Sequence, residues 1–153
     1  MFIFDIETLG VESNAVILSA ALIYFDPEKQ PSYQDLLNKI SFDPSSEDVT
    51  AEDAMTILHN YMNRYPDANK HTMWARGSLD QMAIDSLARK VDSQPITGYN
   101  MWRDVRTAID CLTGSTNGYC DVDHPTFKRH EVIKHHPVHD CALDAMMLMY
   151  GKN

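Results

Sequence analysis

Residues Phe2-Ile-Phe-Asp-Ile-Glu7 constrain this chain most, because their period of two describes an extended strand. Phe2, Phe4 and Ile6 fall on one side; Ile3, Asp5 and Glu7 fall on the other. Gly10 ends the strand. Ala15–Phe25 is a long apolar, β-branched run, expected as a buried second strand. A short strand is expected around Ile40, before the Pro/Ser/Asp-rich turn at Asp43–Asp48.

The ending of the first strand is its unusual part. Residues two apart on a strand share a face, with Cα atoms about 7 Å apart. Two carboxylates side by side on an otherwise apolar strand repel each other and are costly to desolvate. A hard cation with oxygen ligands relieves both penalties. A solvated strand end would explain Asp5 and Glu7 equally well if they stood alone.

Downstream, the period changes to that of helices. Thr50-Ala-Glu-Asp53 is an N-cap signal, and Ala54, Leu58, Tyr61 and Tyr65 follow at helical spacing until Pro66. A short strand at His71–Ala75 leads to Gly77. Ser78-Leu-Asp-Gln81 then reads as a capping box for a helix with Leu79, Met82, Ala83, Leu87 and Val91 on its apolar side. A strand at Ile96–Tyr99 and a helix marked by Trp102, Val105, Ile109 and Leu112, ended by Gly114, come next. Residues 113–136 have no clear period, and so long an irregular stretch is more often functional than idle. A last helix starts around Pro137–Asp140 and runs to Gly151. Strands first and alternating elements later indicate an α/β sandwich with a mixed sheet. The 153 residues fit one domain, 1–153.

Two further acids stand apart from ordinary surface carboxylates. Asp80 sits in the first turn of a helix, where the dipole alone would explain it. Asp144 lies beside Ala142, Ala145, Met146 and Met149, whose spacing marks a buried side, so its charge is harder to dismiss.

Asp5-Ile-Glu7-Thr8 resembles the first motif of the DEDD superfamily of 3′→5′ exonucleases, and Gly77-Ser-Leu-Asp80 its second. His139-Asp-Cys-Ala-Leu-Asp144 is similar to the third motif of the DEDDh branch, a histidine, four residues, then aspartate. Tyr99-Asn-Met-Trp-Arg-Asp104-Val-Arg106-Thr107 is similar to a segment of oligoribonuclease-like and phage exonuclease A-like members. The motifs occur in order across nearly the whole chain. The resemblance implies a ribonuclease H-like sandwich and two Mg²⁺ (or Mn²⁺) ions held by Asp5, Glu7, Asp80 and Asp144. It also implies His139 as general base and nucleoside 5′-monophosphates as products. Thr8, Leu9, Arg76 and Tyr99 would face the substrate: Leu9 as a wedge against the terminal base, Arg76 on a phosphate, Tyr99 stacked on a base; a surface arginine without a role explains Arg76 equally well.

His135 and Asp140 are also separated by four residues. Pro137 between them argues against a continuous helix there, whereas His139–Asp144 carries a small apolar spacer suited to a helix on a sheet. The second pairing is preferred, with His139 in or just before the first turn and Asp140 as N-cap.

A formal net charge of −9 at first opposes a nucleic-acid partner. Four carboxylates loaded with two divalent ions become roughly neutral, however, because the ions dominate the local charge. The expected partner is the 3′ end of single-stranded DNA or RNA, or a duplex end, and relatives of this kind are often homodimers. An inactive module that binds nucleic-acid ends is the competing reading. Cys120, His124, His130, His135 and His136 match no common zinc spacing; the histidines, with Lys128 and Arg129, are expected to line the substrate end of the site. Three cysteines without a CxxC pair disfavour a disulfide framework. No run suits a membrane span or signal peptide, which suggests a cytoplasmic protein.

Overall fold

In the computed structural model, which describes residues 1–12, 15–39 and 49–152, the alternating N-terminus forms β1 (Phe2–Leu9) and the apolar run forms β2 (Val16–Tyr24). The two pair antiparallel, Phe2 opposite Tyr24 and Leu9 opposite Val16. The register slips between Glu7 and Thr8. Such an irregularity bends a strand and re-aims its side chains, and here it falls directly after the second acid. β3 (Met73–Ala75) joins β1 in parallel, and β4 (Trp102–Asp104) joins β3 in parallel. The sheet therefore runs β2-β1-β3-β4 and is mixed. The strand and turn expected at Ile40 and Asp43–Asp48 lie outside the described residues.

The strand expected at Ile96–Tyr99 is displaced. Ile96 is buried in an irregular segment, Tyr99–Met101 makes one 3₁₀ turn, and Trp102 takes the strand position instead of opening a helix. Pro95 and Gly98 bracket the expected strand, and both weaken a ladder. Trp102 suits a pleated, half-buried site.

Helices cover both faces of this sheet. α1 (Tyr33–Leu37) starts at a capping box, in which the Asp35 amide donates to Ser32 Oγ and the Ser32 amide donates to the Asp35 carboxylate. α2 (Ala51–Met62) is capped as expected by Thr50, whose Oγ1 accepts from the Asp53 amide at 3.1 Å. α3 (Leu79–Lys90) and α2 pack on the Phe2, Phe4, Ile6 and Leu22 face. α4 (Val105–Thr113) is capped by Asp104 and closed by Gly114 at φ +74. α5 (Pro137–Tyr150) lays Val138, Cys141, Ala142, Ala145 and Met146 on the opposite face, against Ile3, Ala21 and Ile23. The result is the α/β sandwich expected, compatible with a ribonuclease H-like fold.

Two local expectations fail. Ser78 precedes α3 without a side-chain cap, because its backbone (φ −102, ψ −9) is already helical and not extended. The buried side of α3 is Asp80, Ala83, Ile84 and Ala88, while Met82 is exposed. α5 begins one turn earlier than an Asp140 cap would require. His136 is the cap residue and Pro137 the first helical residue, where the missing N–H costs nothing and the fixed φ is helical. Within the aperiodic stretch, β5 (Asp121–Val122) pairs antiparallel with β6 (Gly151–Lys152), tying it to the end of α5.

Candidate active site

The C-terminal end of β1, the first turn of α3 and the first half of α5 converge on one acidic group. Carboxylate oxygens of Asp5, Glu7 and Asp140 all lie within 4.8 Å of one another. Asp80 and Asp144 are buried acids on the flanking helices. Burial raises the Asp5 carboxyl to about 9, helped by the charges of Asp80, Asp140, Asp144 and Glu7. Burial also lifts Asp80 to about 7, against the pull of the Arg76 backbone N–H. Asp140 is raised by burial as well, partly countered by His135. A fold that gathers this many carboxylates and desolvates them gains no stability from doing so. An all-oxygen donor set suits a hard divalent cation, which would restore the ionised forms. The cluster thus has the chemistry to hold a divalent metal.

Asp144 is not in the three-oxygen group. Its Oδ1 accepts from Arg76 Nε at 2.8 Å and Nη2 at 2.6 Å. Burial raises its carboxyl to about 6, and the guanidinium limits the rise. Arg76 Nη1 donates to the Gly118 carbonyl at 3.0 Å, and the guanidinium lies 4.1 Å from the centroid of the Tyr119 ring. Arg76, expected on a substrate phosphate, is therefore held internally as the counter-charge of Asp144. Gly77 follows at φ +76, and its amide donates to Asp104 Oδ1 at 2.9 Å. Of the remaining expected substrate residues, Thr8 Oγ1 donates to the Gly10 carbonyl at 2.6 Å. Leu9 and Tyr99 are exposed.

His139, expected as general base, is engaged through its Nδ1 on the side of α1. Its Nδ1 is 2.7 Å from the Tyr33 hydroxyl and 3.4 Å from the Ile133 amide nitrogen. An amide N–H can only donate, so the Nδ1 lone pair is engaged and the neutral ring carries its proton on Nε2. Burial, then the neighbouring His136, lowers the pKa of His139 and favours that neutral form. On a regular helix, residue 139 points about 100° away from 140 and about 140° away from 144, whereas 140 and 144 share a face.

His135 is exposed, precedes the helix cap at φ +58, and bears on Asp140 both through its side-chain charge and through its backbone N–H. The geometry therefore favours His135–Asp140 over His139–Asp144. Pro137 carries the signal for where α5 starts. Read as an obstacle to a helix, it in fact marks the helix start, which puts Asp140 in the first turn and His135 just outside.

A cavity of about 520 Å³ lined by Ser115, Tyr119, Arg129 and Lys152 has none of these acids in its wall. Its basic residues face Asp121 in the same wall, and Lys152 pairs with Asp123. No helix among the described residues is long and apolar enough to cross a membrane.

The chain is similar to an exodeoxyribonuclease of Enterobacteria phage T4. The two are 26% identical over 200 aligned positions, which take in 98% of this chain and 88% of that protein. No family model matches the chain.

Proposed function

We propose that this chain is a single-domain, divalent-metal-dependent exonuclease that trims a DNA strand from its 3′ end and releases nucleoside 5′-monophosphates. The observation that carries this reading is the convergence of Asp5, Glu7 and Asp140 oxygens within 4.8 Å, beside buried Asp80 and Asp144. End-to-end similarity to a phage exodeoxyribonuclease supports DNA as the polymer. The order of the acidic motifs and a His-x4-Asp pair support the 3′→5′ direction.

Asp5, Glu7 and Asp140 would hold one Mg²⁺ or Mn²⁺, and Asp5 with Asp80 a second. Bound there, such ions polarise the scissile phosphate, lower the pKa of water and offset charge in the transition state. The side chains do the rest. The first turn of α5 carries Asp140 into the cluster. Asp144 holds Arg76, so the guanidinium neutralises one buried carboxylate without entering the group of three. His135, exposed and next to Asp140, takes the proton of the attacking water. Leu9 and Tyr99 offer apolar and aromatic surface to the terminal nucleotides.

The test is digestion of 3′-labelled and 5′-labelled single-stranded DNA, duplex DNA and RNA with Mg²⁺ or Mn²⁺. The expected result is immediate release of labelled mononucleotide from the 3′ label. A ladder shortening from the 5′ label shows the same direction, and Asp5→Ala, Asp140→Ala and His135→Ala each abolish activity without unfolding. Activity that survives in Asp5→Ala, or release that starts from the 5′ end, refutes the proposal.

A further inference from the structure

Three separated pieces of chain meet at one ring nitrogen. Tyr33 is buried at the start of α1, with its ring edge-on to Phe127 at 5.4 Å. Its hydroxyl reaches His139 Nδ1 at 2.7 Å, and the amide of Ile133 donates to the same nitrogen at 3.4 Å. α1, the loop before α5, and α5 itself are thereby joined by two hydrogen bonds to one acceptor. The His136 ring packs edge-on to His139 at 5.1 Å and closes the group.

The residue whose position depends on this group is His135. Its backbone lies at φ +58, a conformation that residues other than glycine seldom adopt and that neighbouring contacts must hold. Two residues upstream, Ile133 is tied to His139. Two residues downstream, Pro137 begins α5. His135 is thus bracketed by two anchors, one of which is the His139 ring that also meets the Tyr33 hydroxyl.

We infer that Tyr33 and His139 form a clasp that fixes the 133–136 segment and so presents His135 at the acidic cluster. His139 is then a positioning residue, and its ring is structural in the way a backbone-binding cap is structural. The assignment rests on the exonuclease reading for its effect on turnover, but not for the clasp itself.

Two measurements test it together. The first is hydrogen exchange at the Ile133 amide. The second is steady-state hydrolysis of a 3′-labelled oligodeoxynucleotide with Mn²⁺. Tyr33→Phe keeps the ring against Phe127 and removes only the hydroxyl. It is expected to speed exchange at Ile133 and lower kcat about tenfold, the scale of one ordering hydrogen bond. KM and calorimetric Mn²⁺ affinity stay within about twofold, because this hydroxyl is bonded to His139 and not to the acids. His139→Ala does the same, and the double variant is no worse than His139→Ala alone, since both changes remove one unit. His139→Asn, whose Oδ1 can accept the Ile133 amide, recovers protection and part of kcat. Unchanged exchange and kcat in Tyr33→Phe overturn the clasp. So does a His139→Asn enzyme as inactive as His135→Ala, since His139 would then be the base. If the wild-type protein hydrolyses no nucleic acid, the exonuclease reading falls while the exchange data still decide the clasp.

Discussion

Loading the acidic cluster with Mn²⁺ at pH 7 should expel protons, because burial keeps part of the cluster protonated without metal. With its carboxyl raised to about 9, Asp5 is almost fully protonated at pH 7, and Asp80, raised to about 7, is about half protonated. Metal ligation requires both to ionise, so about 1.5 protons leave on loading. Apparent affinity should then rise about 30-fold per pH unit around neutrality, and flatten above the Asp5 value. Calorimetric titration in buffers of different ionisation enthalpy measures the proton count directly as a slope. Asp5→Asn removes the main titrating group and should cut the count to below about 0.5 while weakening binding.

The same shift sets the pH dependence of the metal-free fold. Asp5 has a folded value above its unfolded one, so its contribution to stability is complete below about 3.8 and is lost as pH rises toward about 9. Between pH 6 and 8 the native state holds close to one more proton at Asp5 than the unfolded chain. That group alone then lowers metal-free stability by about 3 kcal/mol over the interval, an upper bound that Mn²⁺ should reverse. A zero proton slope, with equal affinity at pH 6 and pH 8, would refute the argument from burial.

Other substitutions separate the roles of neighbouring residues. Asp140→Asn should weaken Mn²⁺ binding as strongly as Asp5→Asn, whereas Asp144→Asn should retain binding heat and chiefly lower the denaturation midpoint. Arg76→Met strands Asp144 as an unpaired buried carboxylate and should cost about 3 kcal/mol in denaturant unfolding at neutral pH, less at pH 5 where the acid protonates. Leu22→Ala removes a fully buried side chain of β2 on the face covered by α2 and α3 and should cost about 3 kcal/mol without altering the proton count on metal binding.

Elements legible in the sequence were those whose determinants are local. The alternation of residues 2–7, the Thr50 cap and the Gly114 stop each depend on a few adjacent residues, and each forms as expected. Expectations failed where one local signal admits two backbones. Ser78 has the residue type of a cap but a helical backbone, so its side chain caps nothing. Helical spacing puts Met82 on the core side of α3, but it is exposed, and that side carries Asp80, Ala83, Ile84 and Ala88. Strand period puts Asp5 and Glu7 on one face, and the structure groups their oxygens with that of Asp140; the place of Asp80 in a first helical turn gave no signal beyond the dipole.

Which acid of the third motif joins the cluster was decided only by contacts between distant residues. His135–Asp140 and His139–Asp144 share one spacing, and the chain between them supports either. Arg76, 68 residues away, engages Asp144, while Tyr33, 106 residues away, engages His139. Those two partnerships occupy Asp144 and His139, while Asp140 stands with Asp5 and Glu7. Sequence alone determined the α/β sandwich, since hydrophobic period and turn chemistry act over a few residues; that its acidic strand end meets further acids was implied only by the resemblance of the motifs. Tertiary structure decided which acid joins Asp5 and Glu7 within 4.8 Å and which histidine is drawn to Tyr33. That choice turns on which buried charge finds its counter-ion and which ring nitrogen its donors, and those partners are brought together only by folding.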